Sequence, residues 1–433
     1  MKNKNLLQLF LLFCISFSLK ADEIYTVDEL ILIALKNSPE LTISKLSYEA
    51  SQEEHNIATS GYLPKIDIHA SASKTGASNI LSDNNKMVDD TVLLGNLSLK
   101  QIIYDFGKTG STSDFTKYES QSYLFKQIQK ISDKKREVKE AYYNVLKAKS
   151  LISVQVENVK LNEAQLYRSK QYFKAGIRTK IDISDAKVAL IKSQIDLKNA
   201  QYNFKQAYSV LDQVIGFTST DKTYSVYSTT LDLNNIHDYI KDYPLTLQNC
   251  IKYAYINKPE IKEYQTNIQS TASLVNVSSS EYYPEFYLGA DYTKQSSDKF
   301  QLLTPKDQWQ VGINLDWNIY QGGASKSRVQ QSKIHKEIST FALRDLKLKI
   351  KQNVTSEFLN VYRKKDTLGL SQSLMNASSQ KFEQAAKRYE HGLSDYIELQ
   401  QARQGYIDAK ASLVIDYYNY YIAVANLDNA IGK

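Results

Sequence analysis

The chain has 433 residues, a net charge of +7, and only six prolines and 15 glycines. So few breakers over that length point to long uninterrupted elements. Positive charge spread along them, with no dense basic cluster, excludes nucleic acid as a partner. Two cysteines, Cys14 and Cys250, are too few for a disulfide framework once the first is removed with a leader.

Lys2 and Lys4 precede an apolar run over residues 6–19, and Ala21 follows. This pattern predicts a secretory signal peptide over 1–21, cut after Ala21. The run is too short to cross a bilayer as a helix, which takes about 20 residues. Phe13 stands before Cys14, where lipid attachment needs a small residue, so no lipid anchor is expected. No later stretch is apolar enough for a membrane helix. The alternating strands of a membrane barrel escape that criterion.

The remainder is one unit written twice. Asn37-Ser-Pro-Glu40 recurs as Asn257-Lys-Pro-Glu260, and Gly61-Tyr-Leu-Pro64 as Glu281-Tyr-Tyr-Pro284, each 220 residues on. Tyr104-Asp-Phe-Gly107 then matches Tyr320-Gln-Gly-Gly323, Ala175-Gly-Ile177 matches His391-Gly-Leu393, and Ile215-Gly216 matches Ile431-Gly432, each 216 residues on. The expected domains are a first repeat over 22–216, a joining segment over 217–243, and a second repeat over 244–433.

Each repeat reads helix, strand, loop, strand, long helix, tight turn, helix. Pro64 and Pro284 end the first helices, because proline lacks a donor and holds its predecessor extended. After Pro64, Ile66, Ile68, Ala70 and Ala72 alternate with polar residues. After Pro284, Phe286, Leu288, Ala290 and Tyr292 do the same. The return strands carry Leu93, Leu97 and Leu99, and then Trp309, Val311, Ile313, Leu315, Trp317 and Ile319, on one face. About ten alternating residues with aromatics at the rim are the pattern of membrane strands, lipid on one side and water on the other. Four strands cannot close a barrel, and open edges in lipid leave backbone groups unsatisfied. The functional unit is therefore expected to be an oligomer. Two chains would supply eight strands and three would supply twelve.

The long helices are expected over 108–175 and 324–391, about 100 Å each at 1.5 Å per residue. Seven-residue series mark apolar seams shared with neighbouring helices. They run Ile131, Val138, Val145, Ile152, Val159, Leu166, Phe173, and Val354, Val361, Leu368, Met375, Phe382, Tyr389. The helices after the turns continue them with Ile183, Leu190, Leu197, Phe204, Leu211, and Leu399, Tyr406, Leu413, Tyr420, Leu427.

The ordered set Tyr25-Thr-Val-Asp-Glu-Leu30, Asn-Ser-Pro-Glu, Gly-Tyr-Leu-Pro, Tyr-Asp-Phe-Gly and Gly176-Ile-Arg-Thr-Lys-Ile-Asp-Ile183 resembles the TolC family of outer-membrane efflux and type I secretion proteins. The resemblance runs from about Tyr25 to Gly432. It implies an α+β fold of two structural repeats. Their long coiled helices would form a periplasmic helical barrel, and four strands per protomer would join a trimeric 12-stranded transmembrane β-barrel. It implies a homotrimer in the cell outer membrane, in contact with lipid, with a periplasmic adaptor protein and an inner-membrane transporter as partners. The tunnel would close at its periplasmic tip. Arg178, Asp182, Asp185, Tyr389 and Glu398 fall on or beside the gate positions. Ser394 and Gln401 depart from the family's arginine and second acidic residue, so the closing contacts are expected to be rewired, with Arg178 reaching Glu398 or a neighbouring protomer. The turns at Gly176, Ile177, Gly392 and Leu393 are the expected adaptor contacts, their glycines allowing positive φ. The joining segment is expected to belt the middle of the tunnel.

No zinc-binding His pair, phosphate-cradling Gly loop or nucleophile elbow occurs. No catalytic, cofactor or metal site is expected. The rival reading is a periplasmic coiled-coil scaffold or adaptor, which accounts for the seven-residue series but not for four alternating strands.

Overall fold

The computed structural model describes residues 23–78, 87–217, 224–228, 233, 236, 240, 242–297 and 307–433. The expected signal peptide, the tips of both strand-joining loops and much of the segment joining the repeats lie outside them. In chain order the elements are β1 (Glu23–Tyr25), α1 (Val27–Asn37), α2 (Pro39–Thr59), β2 (Lys65–Ser78), β3 (Met87–Tyr104), α3 (Lys108–Lys174), α4 (Lys180–Ile215) and β4 (Tyr224–Val226). The second half supplies α5 (Leu247–Asn257), α6 (Pro259–Ser280), β5 (Glu285–Ser297), β6 (Asp307–Asp316), α7 (Ala324–Glu390) and α8 (Tyr396–Ile431). The duplication is plain: α3 and α7 have 67 residues each, α4 and α8 have 36 each. No helix among the described residues is long and apolar enough to cross a membrane.

The chain gathers into two compact units, each drawing on both repeats. One comprises residues 1–39, 131–254 and 353–433, the other 40–130 and 255–352. The first holds the continuous apolar core. Leu30 and Ala34 of α1, Val138 and Val145 of α3, Leu211 and Ile215 of α4, and Ile407 and Val414 of α8 are buried together. A capping box starts α1: the Thr26 hydroxyl accepts from Glu29 N, and the Glu29 carboxylate accepts from Thr26 N. Two short strands, β1 and β4, pair in parallel beside it. The Tyr142 hydroxyl donates to Tyr227 O at 2.7 Å, and the Tyr243 hydroxyl to Asp428 Oδ1 at 2.7 Å. Ile236, in the segment joining the repeats, is fully buried.

Most of the seven-residue series find buried partners. Val354, Val361, Leu368, Met375 and Tyr389 of α7 are buried, as are Leu399, Leu413, Tyr420 and Leu427 of α8. In α3 the series departs from the seam. Val138 and Val145 are buried, but Ile152, Val159 and Leu166 are half-buried and Phe173 is exposed. The buried face there runs through Val154, Asn158, Asn162, Gln165 and Ser169 instead. A straight α-helix drifts about 20° per heptad against a strict seven-residue repeat, so one series cannot stay on the seam for 67 residues.

The second unit holds the sheet, antiparallel in the order β2-β3-β5-β6. Residues directly opposite across antiparallel strands share a face. One row reads Ile66, Leu99, Ala290, Val311, and its neighbour reads Asp67, Ser98, Asp291, Gln310. The alternation read from the sequence therefore continues across all four strands. The apolar face is open: Ile68 is 81% exposed and Trp309 76%. β6 ends at Asp316, short of the expected Trp317 and Ile319, because its partner β5 begins at Glu285, directly after Pro284. A bulge between Ile102 and Tyr104 bends β3 toward its helix. Asp105 receives that helix, its carboxylate accepting from Gly107 N at 3.1 Å and Thr109 N at 2.7 Å.

At this junction aromatic rings collect. Phe106 stacks on Tyr283 at 4.8 Å and meets Tyr104 edge-on, and Trp317 Nε1 donates to Tyr282 O. The helices beside the sheet meet through small hydroxyl residues. The Ser278 and Ser332 hydroxyls lie 2.7 Å apart, and Ser51 donates to Ser120 at 3.1 Å.

Helices α3, α4, α7 and α8 all end on a left-handed glycine: Gly176, Gly216, Gly392 and Gly432. At Gly216 a Cβ would also lie 2.8 Å from Asn37 O, whereas at Gly176 it would meet nothing. Gly176→Ala should cost about 1–2 kcal/mol from backbone strain alone, and Gly216→Ala clearly more. The guanidinium midpoints of the two variants check the order.

Candidate functional site

The functional candidates lie at the two helical turns, both in the first compact unit. α3 ends in a Schellman motif, with Ile177 N donating to Tyr172 O at 2.9 Å and Gly176 N to Phe173 O at 3.0 Å. The second turn repeats it, Leu393 N to Arg388 O at 2.8 Å and Gly392 N to Tyr389 O at 3.2 Å. The turns pack through a shared cluster of Ala186, Ala385, Tyr389, Tyr396, Leu399 and Ala402.

Across this cluster Arg178 reaches from the first turn to the second. Its Nη2 donates to Ser394 O at 2.9 Å and to Tyr389 O at 3.4 Å, and its guanidinium lies 4.7 Å from the centre of the Tyr389 ring. Ser394 is the residue that matches Arg178 in the repeat. The one arginine of the pair thus clasps the backbone of its own counterpart. Tyr389 is 2% exposed. Burial raises its hydroxyl pKa, so the hydroxyl stays protonated.

Glu398 is engaged elsewhere. Its Oε1 lies 3.4 Å from Arg388 Nε, and its backbone N donates to Asp395 Oδ1 at 2.8 Å. Arg388 Nη2 also donates to Leu393 O at 3.4 Å. Within the protomer, therefore, Arg178 pairs with carbonyls and Glu398 with Arg388, and the two do not pair with each other. Asp182 accepts from the Thr179 hydroxyl at 3.1 Å. That bond occupies Thr179, which makes no capping bond to α4, whereas Asp395 caps α8. Asp185 is exposed on α4, and its charge acts on the Tyr396 hydroxyl. Ile177 and Leu393 project into solvent, 63% and 70% exposed, with Ile181 and Ile397 exposed one turn further on.

The sequence reading missed Arg388, Tyr396 and Arg403. Arg388 carried a signal, since a cation in the last turn of a helix complements its dipole. Arg403 carried none, as one charge among many on a long helix.

Two helical hairpins that meet at their turns, and one open antiparallel sheet built from a strand pair of each repeat, define a duplicated hairpin protein. The profile of the family "outer membrane efflux protein" matches residues 30–217 and 250–433. The chain is 19% identical over 419 residues to the probable efflux pump outer membrane protein TtgC of Pseudomonas putida, spanning 94% of this chain and 82% of that one. It is 22% identical over 422 residues to outer membrane protein TolC of Escherichia coli, spanning 92% and 80%. The crystal structure of the Campylobacter jejuni CmeC outer membrane channel superposes with a TM-score of 0.79 at 17% identity, over 94% of this chain and 85% of that one. The chain belongs to the outer membrane efflux protein family.

The asymmetry in capping gives a direct test. Asp395→Ala should fray the first turn of α8 by about 1 kcal/mol, while Thr179→Ala leaves α4 nearly unchanged. Amide exchange of residues 396–399 against 180–183 should show the difference.

Proposed function

We propose that this protein is the outer-membrane exit duct of a tripartite efflux pump or type I secretion system, a passive conduit opened at its periplasmic tip. It resides in the outer membrane with its helical part in the periplasm. The carrying observation is the four-stranded sheet, whose apolar face exposes Ile66, Ile68, Trp309, Val311 and Ile313 and whose outer strands, β2 and β6, each pair on one side only among the described residues. In water that face invites aggregation. In lipid it is satisfied once other chains close the ring. Three chains give twelve strands, within the range of known barrels. The aromatic cluster of Tyr104, Phe106, Tyr283 and Trp317 then forms one interfacial girdle, at the end of the strands where the helices begin. A soluble scaffold would have no use for such a face.

The helices carry matching unpartnered stripes. On α4, Ile181, Val188, Ile195 and Tyr202 are exposed at seven-residue steps, and on α7 so are Ile334, Phe341 and Leu348, with Ile338 exposed between the first two. These faces pack against neighbouring protomers. Threefold symmetry brings each of Asp182 and Glu398 round one axis, where like charges in a narrow ring attract cations. The gate is Arg178 on Tyr389 and Ser394, with Asp182, Asp185 and Glu398 as its acidic surround. A periplasmic adaptor, acting with an inner-membrane transporter, docks on the apolar tips Ile177 and Leu393 beside Gly176 and Gly392, with Ile181 and Ile397 widening each pad.

Val311 and Gln310 are adjacent residues on opposite faces of β6. Val311→Arg should cost about 2–4 kcal/mol in lipid and abolish assembly into the outer membrane. Gln310→Arg should assemble normally. Equal behaviour in membrane fractionation would contradict the assigned faces.

Arg178→Ser combined with Tyr389→Phe should raise single-channel conductance in planar bilayers while the assembly stays intact. Glu398→Ala should separately lower cation preference. Unchanged conductance and selectivity in assembled variants would place the gate elsewhere.

A further inference from the structure

Arg403, one of the side chains the sequence reading missed, is only 2% exposed. It lies on α8, eight residues beyond the cap at Asp395. Its Nη2 donates to Gln400 Oε1, and it also bonds the Tyr396 hydroxyl. A second cation, Arg168 of α3, acts on it, and among the described residues no carboxylate lies within ion-pair distance. Its own chain covers it, so a neighbouring protomer cannot supply the missing anion. An arginine does not shed its proton to escape burial. Two neutral acceptors leave most of its five donors and its full charge poorly compensated.

The surroundings share this character. The buried face of α3 on the tip side of Val154 is polar, Asn158, Asn162, Gln165 and Ser169, where the same helix nearer the core buries Val138 and Val145. The Ser394 hydroxyl and Asn162 Oδ1 are buried with no hydrogen-bond partner. This end of the bundle thus has fewer apolar contacts and more unsatisfied polar groups than the core cluster, the condition for low local stability.

We propose that Arg403 is a positioning residue of the gate, a buried cation without counter-charge that keeps the closed second turn close to opening. The proposal rests on the tip being the gate. Opening would let water or an anion reach the guanidinium, so the closed state alone bears the burial cost. A docked adaptor then has less work to do.

The direction of the effect separates this from a plain structural anchor. Tyr396 Oη donates to Gln400 Oε1 at 3.3 Å, so these two partners satisfy each other when the guanidinium is gone. Arg403→Met should therefore tighten the closed turn. Gln400→Glu should tighten it too, by placing a carboxylate where Nη2 already bonds. Combined with Arg403→Met, Gln400→Glu should lose its benefit. The readout is amide exchange of Leu393 and Glu398, both hydrogen-bonded in the closed turn, in the assembled full-length protein. Each single variant should slow exchange about tenfold and lower the mean current in planar bilayers. Faster exchange in Arg403→Met, as for an anchor, overturns the proposal, and so does unchanged exchange in both variants. Slowed exchange with bilayer currents indifferent both to these variants and to Arg178→Ser with Tyr389→Phe would overturn the gate assignment instead.

Discussion

A backbone N–H or C=O in hydrocarbon must find a partner, because no water is there to provide one. The sheet of this protein does not meet that condition alone. Its inner strands β3 and β5 are paired on both sides, while among the described residues β2 and β6 each pair on one side only, and Ile68, Val311 and Ile313 are exposed. The rest of the architecture answers this deficit. The duplication supplies two hairpins instead of one, and α4 and α7 carry exposed apolar stripes of their own.

The same need for partners runs differently through the helices. Toward the core, apolar side chains bury one another and α8 is fixed by Ile407, Leu413 and Leu427. Toward the turns, backbone geometry takes over: two Schellman glycines, one capping aspartate, and one arginine laid over the opposite turn. Such contacts are few and separable, and a turn held by them can be released without disturbing the wall behind it. The proposed gate would rest on this division between a rigid stem and a weakly held end.

Much of this was legible in the sequence because it depends on periodicity and on breakers. Pro64, Pro284 and the four turn glycines mark where elements end. Alternation over Phe286–Tyr292 places residues on faces, and seven-residue steps from Val354 to Met375 trace the seam. Other features were not legible because they depend on what lies opposite. β6 stops at Asp316 for want of a partner beyond Pro284. The drift of α3 from Val145 to Asn158 follows from helix geometry accumulated over many turns. The pairing of Glu398 with Arg388 instead of Arg178 reflects the cap at Asp395, which holds Glu398 against its own turn. Arg403 looks like any surface charge until the neighbouring helices enclose it.

The completion of the sheet by other copies of the chain is the claim on which the duct depends. Light scattering of the detergent-solubilised protein, corrected for bound detergent, measures it most directly. Three chains per particle is the expected mass. A monodisperse monomer or dimer would contradict the account, because neither supplies twelve strands.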